Sequence, residues 1–266
     1  MTAFIVFALV ASNQLHHSQL VTNTQQFPEC TIADSTSCYH FYTAPIQPNS
    51  TIPQTEQERF LSAIAKNLTT IPQPGTYEYI LLRAYGAAFV DQDPTVKFPT
   101  TVLFNNEQET QGFQTTLIMD KVNNTNNCYL QKSAATALNK ARSLQNIPLK
   151  SGYGASDCTR NFATNLRFWQ KYANRYTLDK VRQGKETAIL GVVAPPGASQ
   201  HLWGLAIDLR VSNSQQRQAL YENGWFQTVE NDVPHWTYLG VSEANLQNLG
   251  LKNKIVRGIT YWVTPI

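Results

Sequence analysis

In the stretch SQHLWGLAIDLRV, Ser199 to Val211, a polar segment passes through Gly204 into an alternating run. Leu205, Ile207, Leu209 and Val211 alternate with Ala206, Asp208 and Arg210. That period of two predicts a half-buried strand with Asp208 on the face away from the aliphatic row. A chain built around such a strand must bury the row and also provide for an acid, with His201 seven positions before it. On a flat strand an offset of seven puts the two on opposite faces. Gly204 and the preceding loop, VVAPPGASQ, break the regularity and let His201 bend toward the Asp208 face. Taken alone, His201 with Asp208 is a pattern of low specificity, because a strand histidine is more often a hydrogen-bonded core residue than a ligand.

The rest of the chain alternates helical and extended patterns. TEQERFLSAIAKNL opens with a capping box, Thr55 to Glu58, and repeats apolar residues at Phe60, Leu61, Ile64, Ala65 and Leu68, which predicts an amphipathic helix. TTVLF, ending at Phe104, reads as a strand, and NEQETQGFQTTLIMDKV and LQKSAATALNKARSL read as helices. RNFATNLRFWQKYA places Phe162, Leu166, Trp169 and Ala173 on one helical face. SQQRQALYENG is a helix stopped at Asn223–Gly224, VPHWTYLG a strand, and SEANLQNLG a short helix with Ser242 as cap and Gly250 as stop. The tail IVRGITYWV reads as a hairpin about Arg257–Gly258 or as an edge strand. Such a mixture, without an internal repeat, predicts the α+β class.

Bulk properties narrow the partners. The 266 residues are 42% hydrophobic and 15% charged, with a formal net charge of +3. That excess is too small, and too scattered, for nucleic acid, although it suits an anionic polymer such as a cell wall. The start, MTAFIVFALVASNQ, resembles the apolar part of a secretory signal without its basic residue; a buried strand is the alternative. It is too short to span a bilayer, and no other segment is long and apolar enough. Four cysteines, Cys30, Cys38, Cys128 and Cys158, beside a signal-like start point to two disulfides. Short-range pairing gives Cys30–Cys38 and Cys128–Cys158, one of three possible pairings. No pair is spaced as C-x-x-C, which argues against a zinc cluster.

The chain has five histidines. His16 and His17 lie in the polar N-terminal arm and His40 beside Cys38, which leaves His201 and His235 in the dense part after Pro148. A catalytic zinc takes three protein ligands and keeps one open position. His201, Asp208 and His235 would supply two imidazoles and a carboxylate.

SQHLWGLAID followed by DVPHWTYLG resembles the paired motifs of the LAS-type zinc peptidases, and in particular the VanY-like D-alanyl-D-alanine carboxypeptidases, which carry S-x-H-x6-D and then E-x-x-H. The resemblance covers roughly Pro148 to Gly240. It implies a LAS/hedgehog-type core with a small antiparallel sheet and flanking helices, holding Zn2+ on His201, Asp208 and His235. It also implies hydrolysis of an amide bond in peptidoglycan stem peptides; together with the signal-like start, the expectation is a secreted or periplasmic protein, and a monomer. Ser199 matches a serine that lies near substrate. The family's catalytic base, a Glu three residues before the last His, is Asp232 here, one methylene shorter; Glu230 is the off-motif alternative. The family's S-G-Y-R-S appears as SGYGAS, with Gly154 in place of the arginine, and Arg160 is the expected carboxylate binder, backed by Arg167. Two other readings stay open, an endopeptidase of the same type and a catalytically impaired zinc-containing wall-binding module. The expected organisation is a signal-like segment and polar arm over 1–54, a mainly helical region of unknown role over 55–147, and the peptidase-like domain over 148–266.

Overall fold

The structure is a computed structural model that describes residues 54–152 and 154–266. The signal-like start, the three arm histidines and the Cys30–Cys38 pair lie outside the described residues. The architecture is α+β, with several helices around small antiparallel sheets.

Helix α1 (Glu56–Ile64) begins at the expected capping box, with Thr55 and Glu58 satisfying each other's backbone N–H groups. Helix α2 (Tyr77–Tyr85) is capped by Thr76 and runs into a 3₁₀ turn, Gly86–Val90, that is wholly buried. Helix α3 (Glu107–Gln114) is shorter than its sequence predicts, because residues 119–121 leave it to pair as β1 (Met119–Lys121) with β2 (Tyr129–Gln131). Helix α4 (Lys132–Leu144) follows as expected. The strand expected at residues 100–104 does not form. Its backbone bond to the rest of the fold is Phe104 N–H to the Gly197 carbonyl, at 3.0 Å, and a loop offers no ladder for a strand to join.

Helix α5 (Phe162–Tyr172) is capped by Asn161 and α6 (Arg175–Arg182) by Asn174. Strand β3 (Ala206–Asp208) then leads to α7 (Ser214–Tyr221), β4 (Trp225–Phe226), β5 (His235–Tyr238), α8 (Glu243–Leu246) and the closing hairpin of β6 (Lys252–Val256) and β7 (Ile259–Val263). Arg257 and Gly258 both take positive φ, 52° and 77°, so the hairpin turns on two left-handed residues. The central sheet has the order β3-β5-β4, with β5 in the middle and both pairings antiparallel. Every residue of β3 is buried, so the strand is covered on both faces rather than half-buried.

One hydrophobic core crosses the expected division at 147/148. Phe60, Leu82, Phe89 and Leu138 are buried in the same cluster as Trp203, Ile207 and Trp236, and the Phe89 and Trp203 rings lie 4.9 Å apart. Cys128 and Cys158 form a disulfide with Cα atoms 5.4 Å apart, joining the start of β2 to the loop before α5. It closes a loop of 30 residues, for which denatured-state chain entropy gives about 3–4 kcal/mol. Replacing both cysteines by alanine is expected to lower unfolding free energy by that amount in guanidinium titrations.

Candidate active site

Register, more than any single residue, builds the site. Asp208 of β3 is paired directly with His235 of β5, so their side chains rise together from one face of the sheet. His201 reaches the same face by another route. It lies in a 3₁₀ turn, Gln200–Trp203, ended by Gly204 in the left-handed conformation at φ 68°. That glycine sits against Gln131 and Met119, which a Cβ would meet at 3.3 Å. The chain therefore reverses tightly between His201 and β3, and the predicted bend has a defined form.

Three ligand-type atoms converge. His201 Nε2 lies 3.2 Å from His235 Nδ1, His201 Nε2 lies 3.4 Å from Asp208 Oδ1, and His235 Nδ1 lies 3.7 Å from the same oxygen. All three residues are buried. Their outer hydrogen bonds decide where the imidazole protons sit. His201 Nδ1 faces the Cys158 carbonyl at 2.8 Å, an acceptor only, so Nδ1 carries the proton and Nε2 a lone pair. Gln200 donates its amide to the Tyr85 carbonyl at 2.6 Å, which turns its Oε1 toward His235 Nε2 at 2.7 Å and Thr237 Oγ1 at 2.8 Å. His235 must then donate from Nε2, leaving the Nδ1 lone pair inward.

The centre is thus three acceptors facing one another, an arrangement that calls for a cation. Burial first, and the charge of Arg160 second, push the His201 imidazole down to about 4, so it is neutral at physiological pH. Burial works against ionisation of Asp208, and the Arg160 guanidinium bonded to its Oδ2 favours the carboxylate. Three ligand atoms about 2.0–2.2 Å from one tetrahedral ion stand about 3.3–3.6 Å apart. The observed edges bracket that spacing, so the donor set and its dimensions fit a zinc-like dication.

The other expected residues divide. Asp232 lines the same cleft, half-buried, at the start of the turn that closes with His235 N–H on the Asp232 carbonyl at 3.1 Å. Burial pushes its carboxyl up to about 6, with His235 pulling it back most strongly. Arg160 also lines the cleft, but one edge of its guanidinium is paired with Asp208 Oδ2, its Nε donates to the Ser156 carbonyl at 2.7 Å, and its plane lies over Phe168. Ser199 is buried in the cleft wall, where its hydroxyl caps the 3₁₀ turn by accepting from His201 N–H at 3.4 Å. Glu230 is not in the cleft. Its carboxylate takes Lys254 Nζ at 2.6 Å, and it lines a separate cavity with Arg83 and Thr264. Arg167 is exposed, its guanidinium over the Phe168 ring.

Three contributors had no motif to announce them. Gln200, Tyr85 and Lys150 each line the cleft. Gln200 stands between two motif residues yet is not itself part of the pattern, and Tyr85 ends a helix far from it in sequence.

Residues 127–241 match the model of the VanY family, described as D-alanyl-D-alanine carboxypeptidase. No curated protein matches the chain. The matched segment contains the three converging ligands, Asp232, Arg160 and the disulfide, whereas Tyr85 lies outside it.

Because Gln200 has no exposure and satisfies three groups, Gln200→Leu is expected to strand them at roughly 1–3 kcal/mol each, discounted for relaxation. Denaturant titration should show a loss of about 2–4 kcal/mol. Nitrogen-15 spectra of the imidazoles should show His235 leaving its single Nε2–H tautomer, while His201 keeps Nδ1–H.

Proposed function

We propose that this chain, whose residues 127–241 match the D-alanyl-D-alanine carboxypeptidase family model, is a zinc-dependent enzyme that hydrolyses a terminal amide bond of peptidoglycan stem peptides. The observation that carries the reading is the set of three inward acceptors, His201 Nε2, Asp208 Oδ1 and His235 Nδ1, at edges of 3.2 to 3.7 Å. Bound there, zinc supplies a Lewis acid that polarises a carbonyl and makes water a nucleophile near neutral pH.

The chain's own residues supply the remaining work. Asp232 is the base: it lines the same cleft as the three ligands, takes a proton from the attacking water and returns it to the leaving amine. A carboxyl raised by burial is suited to that exchange, since it holds a proton loosely at neutral pH without refusing it. Arg160 braces the outer oxygen of Asp208 from the cleft wall, and its positive charge there favours negative charge on the scissile carbonyl oxygen. Phe168 and Val193 give one side of the cleft an apolar lining. The space within is about 70 Å³, enough for a small side chain, which favours a peptide end over the middle of a chain. The disulfide and the signal-like start support an extracytoplasmic location.

His201→Ala and His235→Ala are each expected to abolish zinc retention, measured by elemental analysis after dialysis. Full zinc in both variants would overturn the centre. Asp232→Ala is expected to keep zinc and lose turnover by roughly 10²- to 10⁴-fold, whereas Glu230→Gln stays near wild type. Mass spectrometry of a stem peptide digest tests the reaction itself: free D-alanine is expected, and internal fragments alone would indicate an endopeptidase.

A further inference from the structure

Two cations line the cleft, Arg160 and Lys150. They differ in what already holds them. Arg160 is committed on three sides, to Asp208 Oδ2, to the Ser156 carbonyl and to the Phe168 ring. Its charge answers a carboxylate of the protein before any substrate arrives. Lys150 has no such partner. Among the described residues its ammonium makes no hydrogen bond or ion pair, although it senses Asp232 electrostatically. Its backbone, in contrast, is fixed. Lys150 N–H donates to the Asp208 carbonyl at 2.9 Å, its own carbonyl accepts from Arg210 Nε at 2.6 Å, and the preceding Leu149 bridges Leu209. A free ammonium therefore extends from a root anchored to the strand that carries Asp208, at the exposed rim of a cleft whose floor is buried.

An unpaired cation held at the mouth of a narrow cleft is placed to meet an anion entering with the substrate. We propose that Lys150 binds the terminal carboxylate of the peptide and so selects a free C terminus, leaving Arg160 to brace Asp208. This rests on the peptidase reading above. It assigns specificity to a residue of the SGY loop's approach rather than to the arginine expected from the motif. The anions facing Lys150 inside the cleft are Asp232 and Asp208; the second is already matched by Arg160, and Asp232 makes no ion pair with Lys150. The flexible four-carbon stem lets the ammonium follow a carboxylate without moving the backbone.

The test compares one short peptide ending in D-alanyl-D-alanine as the free acid and as its C-terminal carboxamide. Wild-type protein is expected to prefer the acid. Lys150→Met is expected to lose roughly ten- to hundredfold in kcat/KM on the acid with little change on the amide, and Lys150→Arg to keep the preference. Equal losses on both peptides would overturn the assignment, because they would mean that Lys150 acts through Asp232. Calorimetric binding of both peptides to the Asp232→Asn protein reads the same contrast without turnover. If wild-type protein cleaves neither peptide, the peptidase reading fails. An acid-over-amide binding preference that disappears with Lys150→Met would still support Lys150, and equal binding of the two peptides would overturn it.

Discussion

Three lone pairs pointed at one another, with no proton among them, are the constraint on which this structure turns. Such a cluster is costly unless something positive occupies it, and the protein spends several hydrogen bonds to keep it. The Cys158 carbonyl denies His201 any tautomer but Nδ1–H, and Gln200 does the same for His235 from the opposite nitrogen. The arrangement follows the general rule that partners of a ligand's second nitrogen set its tautomer and orientation. Here those partners are a backbone carbonyl beside a disulfide and a fully buried amide, neither of which can rotate away easily.

That requirement explains why the segment before residue 127 is part of the same body. The Gln200 amide is oriented by the Tyr85 carbonyl, and Tyr85 in turn donates its hydroxyl to the Leu190 carbonyl at 2.8 Å, beside the cleft. A chain of contacts thus runs from the end of α2 through Gln200 to His235. The core is shared as well, with Phe89 against Trp203 directly behind the 3₁₀ turn that carries His201. The helices ahead of the matched segment therefore act as a back support for the ligand set.

The sequence made the His201–Asp208–His235 cluster legible because its residue types are rare and their spacing is local. Few histidines were available, and the alternation around Asp208 fixed which face it takes. The Thr55–Glu58 capping box was legible for the same reason: it is a short-range device that neighbours satisfy. The extended segment at 100–104 misled, since a short apolar run reports burial, while a strand also needs a partner edge, and Gly197 offers only one bond. The end of α3 misled because pairing of β1 with β2 overrode helix propensity after Gln114. Gln200 and Lys150 could not be read at all. Their roles depend on what stands opposite them in space, and nothing in their types or spacing says so.

The same logic bears on Asp232, which stands where the motif expects a Glu. A shorter carboxylate loses reach only if its backbone stays where a longer one would stand. Around Asp232 the chain makes two successive tight turns, Asp232 N–H to the Val229 carbonyl at 3.2 Å and His235 N–H to the Asp232 carbonyl at 3.1 Å. Asn231 between them takes φ 70°, a left-handed conformation that asparagine tolerates better than most residues. Gly191 lies so close to the Glu230 carbonyl that a Cβ there would collide with it, which lets the 3₁₀ turn Ala188–Gly191 press against this segment. The turn is thereby held as a unit that carries Asp232 into the cleft while sending Glu230 outward to Lys254. The geometry separates two neighbouring acids into one that is desolvated beside the His201–Asp208–His235 cluster and one that is paired with Lys254 at the surface.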